Sequence, residues 1–471
     1  MQSKEFREYA HQFVDWMADY MDTVEDYPVK SQVAPKEIYE QIKSEIPQKG
    51  EGMDKIFSDF QNIILAGVTH WQNPNFFAYF PANTSPPSIL AEMLTASLGV
   101  QGMKWETSPA STELEERMME WLGNAMGIPK SWTGVIQDSA STATLAAIIT
   151  AREQKSKFKI NESGFDSNTK YRVYCSDQTH SSIEKGAKIA GLGKNNVVKI
   201  ATNQNLELRA DLLFEQIEQD INQGLEPLCI VAAIGTTGTM AMDPLAEIAQ
   251  IAEKFKVWLH VDAAYAGSAL LLPEYQKLIN GIEKADSFVF NPHKWLLTNF
   301  DCSAYFVKDA NALVNTFAIL PEYLKTKTDG LVNNHSDWGV PLGRRFRSLK
   351  LWFVMRYYGL EGLQNKLRGH IELGKWFEKE IVENPNFELT APRSMNLVCF
   401  HYKPVGQNDM EQLNKLNEQL LHKLNATGTI YLTHTKVHGV YTLRMVIGQT
   451  NVTKSHVEKA WKLIQKVAVE I

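Results

Sequence analysis

A lysine set between an imidazole and an indole is the residue here that most calls for chemistry. Lys294 stands between His293 and Trp295, just after the apolar run Phe288-Val-Phe290. Desolvation in such a setting lowers an amine's pKa and leaves it free for Schiff-base formation with a carbonyl. Three other apolar runs also end on polar groups. Val257-Trp-Leu-His260-Val-Asp262 ends on an acid, Leu228–Ile234 runs into Gly235-Thr-Thr237, and Tyr171–Cys175 is followed by Gln178-Thr-His180. An ionised aspartate at the end of an apolar run is costly unless a cation or hydrogen-bond donors meet it. Gln137-Asp138-Ser139-Ala140-Ser141 opens a helical stretch with small hydroxyl residues. Backbone N–H groups and the positive end of a helix make such a stretch an anion site.

One cofactor uses all of these groups. Pyridoxal 5'-phosphate needs a lysine, a carboxylate for its pyridinium nitrogen, a group to stack on its ring and a phosphate site. Taken singly, each feature has an ordinary explanation: Ser139–Ser141 as a helix cap, Asp262 as a capped turn, Lys294 as a surface lysine, His180 as a structural histidine. Together, in the order hydroxyl helix, histidine, aspartate, lysine, they are far more specific. No G-x-x-x-x-G-K-[ST] loop and no G-x-S-x-G elbow competes with them. The 12 histidines show no metal-ligand spacing, and His434 and His438 read as a solvated pair, so no metal is expected.

The elements that must position these groups follow from hydrophobic period. Short β-rich runs (Tyr171–Cys175, Cys229–Ala233, Val257–Val261, Ser287–Phe290) alternate with helical stretches (Ser139–Glu153, Ala210–Gln223, Pro244–Phe255). That alternation predicts an α/β fold with a largely parallel sheet, whose ligands sit beyond the carboxyl ends of the strands. Residues 1–27 place Phe6, Tyr9, Phe13, Trp16, Met17 and Tyr20 at steps of three and four, an amphipathic helix in need of a partner surface. Further helices are expected at Pro35–Ile46, Asp54–His70 and Phe346–Tyr358. The polar stretch 320–342 reads as a functional loop. The end of the chain reads as strand Leu397–His401, helix Met410–Asn425, strands Ile430–Leu432 and Val440–Val446, and helix Lys454–Val469. The expected division is a helical N-terminal arm over 1–80, a large cofactor-binding α/β domain over 81–350 and a small α+β domain over 351–471.

The chain has 471 residues, 44% hydrophobic and 22% charged, which sets aside a disordered chain. With 48 basic and 54 acidic residues the net charge is −6, so no nucleic-acid partner is expected. The longest apolar stretch, Leu228–Ile234, is strand-sized and cannot cross a bilayer. Four scattered cysteines and a start without an apolar signal core fit a reducing, cytoplasmic setting.

Asn291-Pro-His293-Lys294-Trp295, His260-Val-Asp262-Ala-Ala264-Tyr265-Ala-Gly267, Phe76-Phe-Ala-Tyr79-Phe80-Pro81 and Leu342-Gly-Arg-Arg-Phe-Arg-Ser-Leu-Lys350 resemble the signatures of group II pyridoxal-phosphate decarboxylases, and among them the aromatic-L-amino-acid decarboxylases. The resemblance covers nearly the whole chain. It implies a type I, aspartate-aminotransferase-like fold and an intertwined homodimer whose N-terminal helical arm packs on the partner copy. It further implies that Lys294 carries the cofactor, that Asp262 pairs with the ring nitrogen and that His180 stacks on the ring. Thr237 and Ala264 would line the cofactor pocket, and Ser139, Ala140, Asn291 and His293 would surround the phosphate. Trp71, Tyr79 and Phe80 would line the pocket for the substrate side chain. The implied reaction is decarboxylation of an aromatic L-amino acid (tryptophan, tyrosine, dihydroxyphenylalanine or phenylalanine) to its amine and carbon dioxide, a proton being delivered to Cα by a general acid on a closing lid.

This chain departs from that pattern in several places. Where the family's lid carries a tyrosine, aligning on Gly330-Leu and on Trp338-Gly-Val-Pro-Leu-Gly343 places His335. An imidazole with an ordinary pKa near 6.5 can itself donate the proton. Alternatively protonation fails, and dioxygen diverts the reaction to an aldehyde with carbon dioxide, ammonia and hydrogen peroxide, as in the family's aldehyde synthases. A one-residue shift of register would instead take His335 out of the site. Proton donation in kind favours the decarboxylase. Gln101-Gly102-Met103 aligns with a neighbour-subunit segment that is apolar and aromatic in the animal enzymes. Gln101 and Met103 would thus face the substrate ring with an amide and an adaptable thioether. Asp138 stands where many relatives have glycine and is expected to point away from the phosphate. Gly359 replaces a larger polar residue of histidine-specific relatives. A transaminase, a catalytically dead binding protein and a nucleotide-binding α/β protein are the competing classes. The lid and segment 76–81 speak against the first, intact Lys294, Asp262 and His180 against the second, and the missing phosphate loop against the third.

Overall fold

The structure is a computed structural model that describes residues 1–166, 169–319 and 331–471. They form two compact units, one of Ala82–Gly369 and one of Met1–Pro81 with His370–Ile471.

The first unit is built on a seven-stranded sheet. Its strands are β1 (Thr133–Gln137), β2 (Tyr171–Ser176), β3 (Val197–Ile200), β4 (Glu226–Ala233), β5 (Trp258–Asp262), β6 (Ser287–Phe290) and β7 (Ser303–Val307), in the order β1-β7-β6-β5-β4-β2-β3. Strands β3, β2, β4, β5 and β6 run parallel. β7 is antiparallel to both β6 and β1. β1 therefore runs in the same sense as β6, and its carboxyl end lies on the same edge as theirs. The near-continuous apolar run of β4, buried from Pro227 to Ala233, is what a strand covered on both faces requires. The helices supply the cover: Leu245–Phe255 buries Leu245, Ile248, Ala249, Ile251 and Ala252, one helical stripe. The expected α/β fold with a largely parallel sheet is thus present, and β6 falls where the sequence places it.

The second unit holds a four-stranded antiparallel sheet, β8 (Phe387–Leu389), β9 (Leu397–Tyr402), β10 (Thr433–Val437) and β11 (Val440–Val446), in the order β10-β11-β9-β8. Helices Met410–Ala426 and Lys454–Ala468 contribute Leu420, Leu424, Trp461 and Ile464 to its core. The N-terminal helix Ser3–Thr23 buries none of its residues and leaves Phe6, Val14 and Met21 exposed.

Four expectations are corrected. Residues 430–432 are not a strand, because their backbone is taken by another segment: Phe77 N–H donates to Tyr431 O (3.0 Å) and Tyr431 N–H to Asn75 O (3.3 Å). The strand begins at Thr433 instead. The stretches 35–46 and 54–70 are not long helices; the first is helical only over Glu37–Gln41, and the second is an α-helix over Met53–Asp59 followed by a π-turn and a 3-10 turn. The helix expected at Phe346–Tyr358 continues to Glu383, interrupted at Gly359, whose φ of +64° suits glycine.

Candidate active site

Register and strand direction bring the expected residues to one edge of the seven-stranded sheet. Asp262, the last residue of β5, is level with Ala233 of β4 and Val289 of β6. Thr237 lies four residues beyond β4, Asn291 directly beyond β6, His180 four beyond β2 and Ser139 two beyond β1. Pro292 starts the short helix Pro292–Trp295, which carries Lys294. The backbone around the lysine is fixed: Lys294 N–H donates to Asn291 O (2.9 Å), and Asn83 Nδ2 donates to Lys294 O (2.7 Å).

The electrostatics follow from this packing. Burial pushes the Lys294 ammonium below its ordinary pKa, and Asp262 opposes the shift. Burial also lowers His180, with Asp262 pulling it up and Lys294 pushing it down, so the three groups act on one another. The Ser182 N–H donates to His180 Nδ1 (3.1 Å). The neutral ring therefore carries its proton on Nε2. His293 is buried, its pKa pushed down to about 3 by burial first and by Lys294 second. Its Nδ1 accepts the Cys302 N–H (2.9 Å), which leaves Nε2–H as a donor. Asn291 is buried and accepts a hydrogen bond from Ser303 Oγ. Ala264 N–H donates to Asp262 Oδ1 (3.0 Å), fixing the carboxylate. Ser139 is the N-cap of helix Ala140–Ser156 and accepts the Thr142 N–H (3.2 Å).

This donor set fits pyridoxal phosphate. It offers an amine lowered by burial, a fixed carboxylate within electrostatic reach of that amine, and neutral imidazoles with their protons on Nε2. At the same sheet edge, beyond β1, is the first turn of a helix, where N–H groups have no intrahelical acceptor.

The remaining expected residues have the following surroundings. Trp71, Tyr79 and Phe80 belong to the other unit; there Trp71 and Tyr79 stack at 5.7 Å, Tyr79 OH meets Tyr431 OH (3.1 Å) and the Arg444 guanidinium lies over Phe80. Gln101 Oε1 accepts the Arg344 N–H (2.6 Å), and Met103 O accepts the Ser336 N–H (2.8 Å). Asp138 has a buried Oδ1 without a hydrogen-bond partner and acts electrostatically on Arg347. Residues 320–330 of the expected lid lie outside the described residues. His335 is described and is buried against Glu115 and Arg344, the two charged groups that act on it.

Glu115 and Arg344 were not singled out by the sequence. Glu115 is fully buried, accepting from Ile136 N–H (2.8 Å) and from Arg344 Nη2 (2.7 Å). Burial raises its pKa, but Arg344, His335 and these hydrogen bonds outweigh burial and leave it below the ordinary value. The available signal was an acid three and four residues before Met118 and Met119, on the buried stripe of helix Pro109–Met126.

Residues 35–403 match the pattern of the pyridoxal-dependent decarboxylase conserved domain. The chain is 44% identical to phenylacetaldehyde synthase of Arabidopsis thaliana, over 99% of this chain and 96% of that protein. It is 41% identical to tyrosine decarboxylase 4 of Petroselinum crispum, over 99% of this chain and 93% of that protein. Among solved structures it is similar to Oryza sativa TDC with PLP and tryptamine, at 34% identity and a TM-score of 0.97, covering 100% of this chain and 99% of that one.

Proposed function

This chain belongs to the pyridoxal-dependent decarboxylase family, and from that premise we propose that it decarboxylates an aromatic L-amino acid to the corresponding amine and carbon dioxide. The observation that carries the reading is the triad at one sheet edge, in which burial lowers Lys294 and His180 while Asp262 opposes both shifts. Pyridoxal phosphate, when bound, supplies the electron sink that lets the carboxylate leave Cα. Lys294 anchors it through the amine that burial keeps available. Asp262 holds the proton on the pyridine nitrogen. His180 presents a flat neutral ring to stack on it. The helix start at Ser139 and Ala140, with Asn291 and the Nε2–H of His293, holds the phosphate, while Thr237 and Ala264 line the pocket wall. Trp71, Tyr79 and Phe80 line the pocket for the aromatic side chain of the substrate, and Gln101 and Met103 face the substrate ring across the dimer interface. His335 delivers the proton to Cα.

Two copies pair through the N-terminal helices, a reading supported by the helix Ser3–Thr23, which has no fully buried residue and leaves Phe6, Val14 and Met21 exposed. Four scattered, buried cysteines support a reducing, cytoplasmic setting. Among the described residues no helix is long and apolar enough to cross a membrane.

A second reading, an aldehyde synthase, is favoured by one observation. His335 sits buried against Glu115 with its pKa pushed down to about 4, where it is a poor proton donor at neutral pH. The test incubates reconstituted protein with tryptophan, tyrosine, dihydroxyphenylalanine and phenylalanine, measuring carbon dioxide, amine, aldehyde and hydrogen peroxide together. Amine equal to carbon dioxide supports the first reading; aldehyde with peroxide supports the second; no carbon dioxide from any substrate overturns both.

A further inference from the structure

We infer that the Glu115–Arg344 pocket is a resting berth for the His335 imidazole, which leaves it on gaining a proton and so arrives at the reaction already carrying the proton it delivers. The inference rests on the reading of His335 as proton donor given above.

The described strap over 333–338 is fastened along its length. Trp105 N–H donates to Asn334 Oδ1 (3.2 Å), Ser336 N–H to Met103 O (2.8 Å), Gln137 Nε2 to Trp338 O (3.0 Å) and Asn333 Nδ2 to Glu116 Oε1 (2.7 Å). These bonds hold the His335 ring at 2% exposure, edge-on to Trp338 at 5.8 Å. Neither ring nitrogen has a hydrogen-bond partner. The Nδ1 is 3.9 Å from Glu115 Oε1, beyond hydrogen-bond reach, and that oxygen is already engaged by Arg344 and Ile136. Packing alone therefore holds the ring, and a buried imidazole with two unpaired nitrogens is held at a cost.

A charged ring fits the berth worse still. It loses its hydration and faces the Arg344 guanidinium, with only Glu115 in its favour. The other charged groups packed around the strap do not change this balance. Glu116 is bound by Asn333, Asp337 accepts from Ser336 Oγ (3.3 Å), and Lys104, on the facing segment, is a further buried cation. β1 and the helix Ala310–Phe317 carry no titratable side chain.

The direction of the coupling follows. In the berth, burial first and Arg344 in addition hold the ring pKa down at about 4 against Glu115; released, it returns to about 6.5. The released state binds the proton more tightly, so release grows as pH falls through 6.5 and levels off near 4. Between pH 7.5 and 5.5 those two values give about a tenfold rise in the released-to-docked ratio. The imidazolium N–H bond then breaks as the Cα–H bond forms, the electron pair coming from Cα. The ring returns to the neutral form that fits the berth.

The test is alkylation of a Ser336→Cys holoprotein. Ser336 is buried in the docked strap and all four native cysteines are buried, so labelling at position 336 reads strap release over a low background. Dividing its rate by that of Ser336→Cys in a His335→Phe background cancels the thiol's own ionisation. The ratio should rise about tenfold from pH 7.5 to 5.5; a ratio independent of pH overturns the inference. If the cysteine variants fold poorly, ring-labelled histidine NMR of the unsubstituted holoprotein serves, with the His335 signal identified by its loss in His335→Phe. An apparent pKa between about 4 and 6.5 supports the berth, and a value of 6.5 or above overturns it. Both readouts are independent of turnover. A pH-dependent ratio without carbon dioxide release leaves the berth standing and removes the proposed function; a flat ratio with amine formed does the reverse.

Discussion

Replacing Gly267 by alanine should loosen the whole candidate site from beneath. Gly267 lies in the 3-10 segment Ala266–Leu271, just after β5, and a Cβ there would come 2.4 Å from Phe290 Cβ, 3.1 Å from its Cγ and 3.2 Å from Ala263 Cβ. Ordinary carbon contacts are about 3.5–4.0 Å, so one segment must move by about 1 Å. Neither neighbouring Cβ is the far end of a flexible side chain. Phe290 is the last residue of β6, and Asn291, His293 and Lys294 follow it; Ala263 follows Asp262 directly. The displacement thus separates the acid from the amine. Overpacking of this kind costs about 1–3 kcal/mol, and rigid neighbours favour the upper half of that range. At roughly 2–4 °C per kcal/mol for a large domain, the melting midpoint should drop by about 4–12 °C. The assay is thermal unfolding with and without pyridoxal phosphate, paired with a titration of the cofactor's visible band. Holoprotein should lose more stability than apoprotein, and cofactor affinity should fall. A variant that melts and binds cofactor as the unsubstituted protein does would refute the reasoning.

Other perturbations separate the roles. Asp262→Asn keeps the shape but removes the charge, and kcat should fall by at least about a hundredfold while the fold, followed by circular dichroism, is kept. The lowered pKa of Lys294 means that its unprotonated amine persists to lower pH than an ordinary lysine allows. The rate of cofactor uptake by apoprotein, followed by the visible band, should therefore rise with pH and level off below about 10.4. In Asp262→Asn, with the opposing charge gone, that rise should shift to lower pH. Ser139→Ala removes an N-cap and should cost about 1 kcal/mol in denaturant unfolding, with weaker cofactor retention on dialysis. His335→Tyr should raise the amine-to-aldehyde ratio measured by chromatography if the histidine protonates Cα poorly; an unchanged ratio removes that role.

Much of the sheet was legible because buried parallel strands read as continuous apolar runs. β4 and β6 are such runs, and the polar residues at their ends stand out against them. β1 and β7 carry weaker signals. β1 is only Thr-Gly-Val-Ile-Gln, and its place in the sheet comes from pairing with β7, which lies 166 residues on in register at Gln137–Ser303. The segment 430–432 is apolar enough for a strand, but its backbone groups are spent on residues 75–77, a partner no local pattern reveals. The same holds for the berth of His335. Glu115 and Arg344 are distant in sequence, and only the fold shows that they meet the histidine; an acid on the apolar stripe of a helix was the one local sign of it.

Reduction of the reconstituted holoprotein with borohydride, followed by digestion and mass spectrometry, tests most directly where the cofactor is held. The pyridoxyl mass should appear on the peptide containing Lys294 and disappear in Lys294→Ala. A label on another lysine, or none with cofactor demonstrably bound, would contradict the assignment on which the proposed reaction stands.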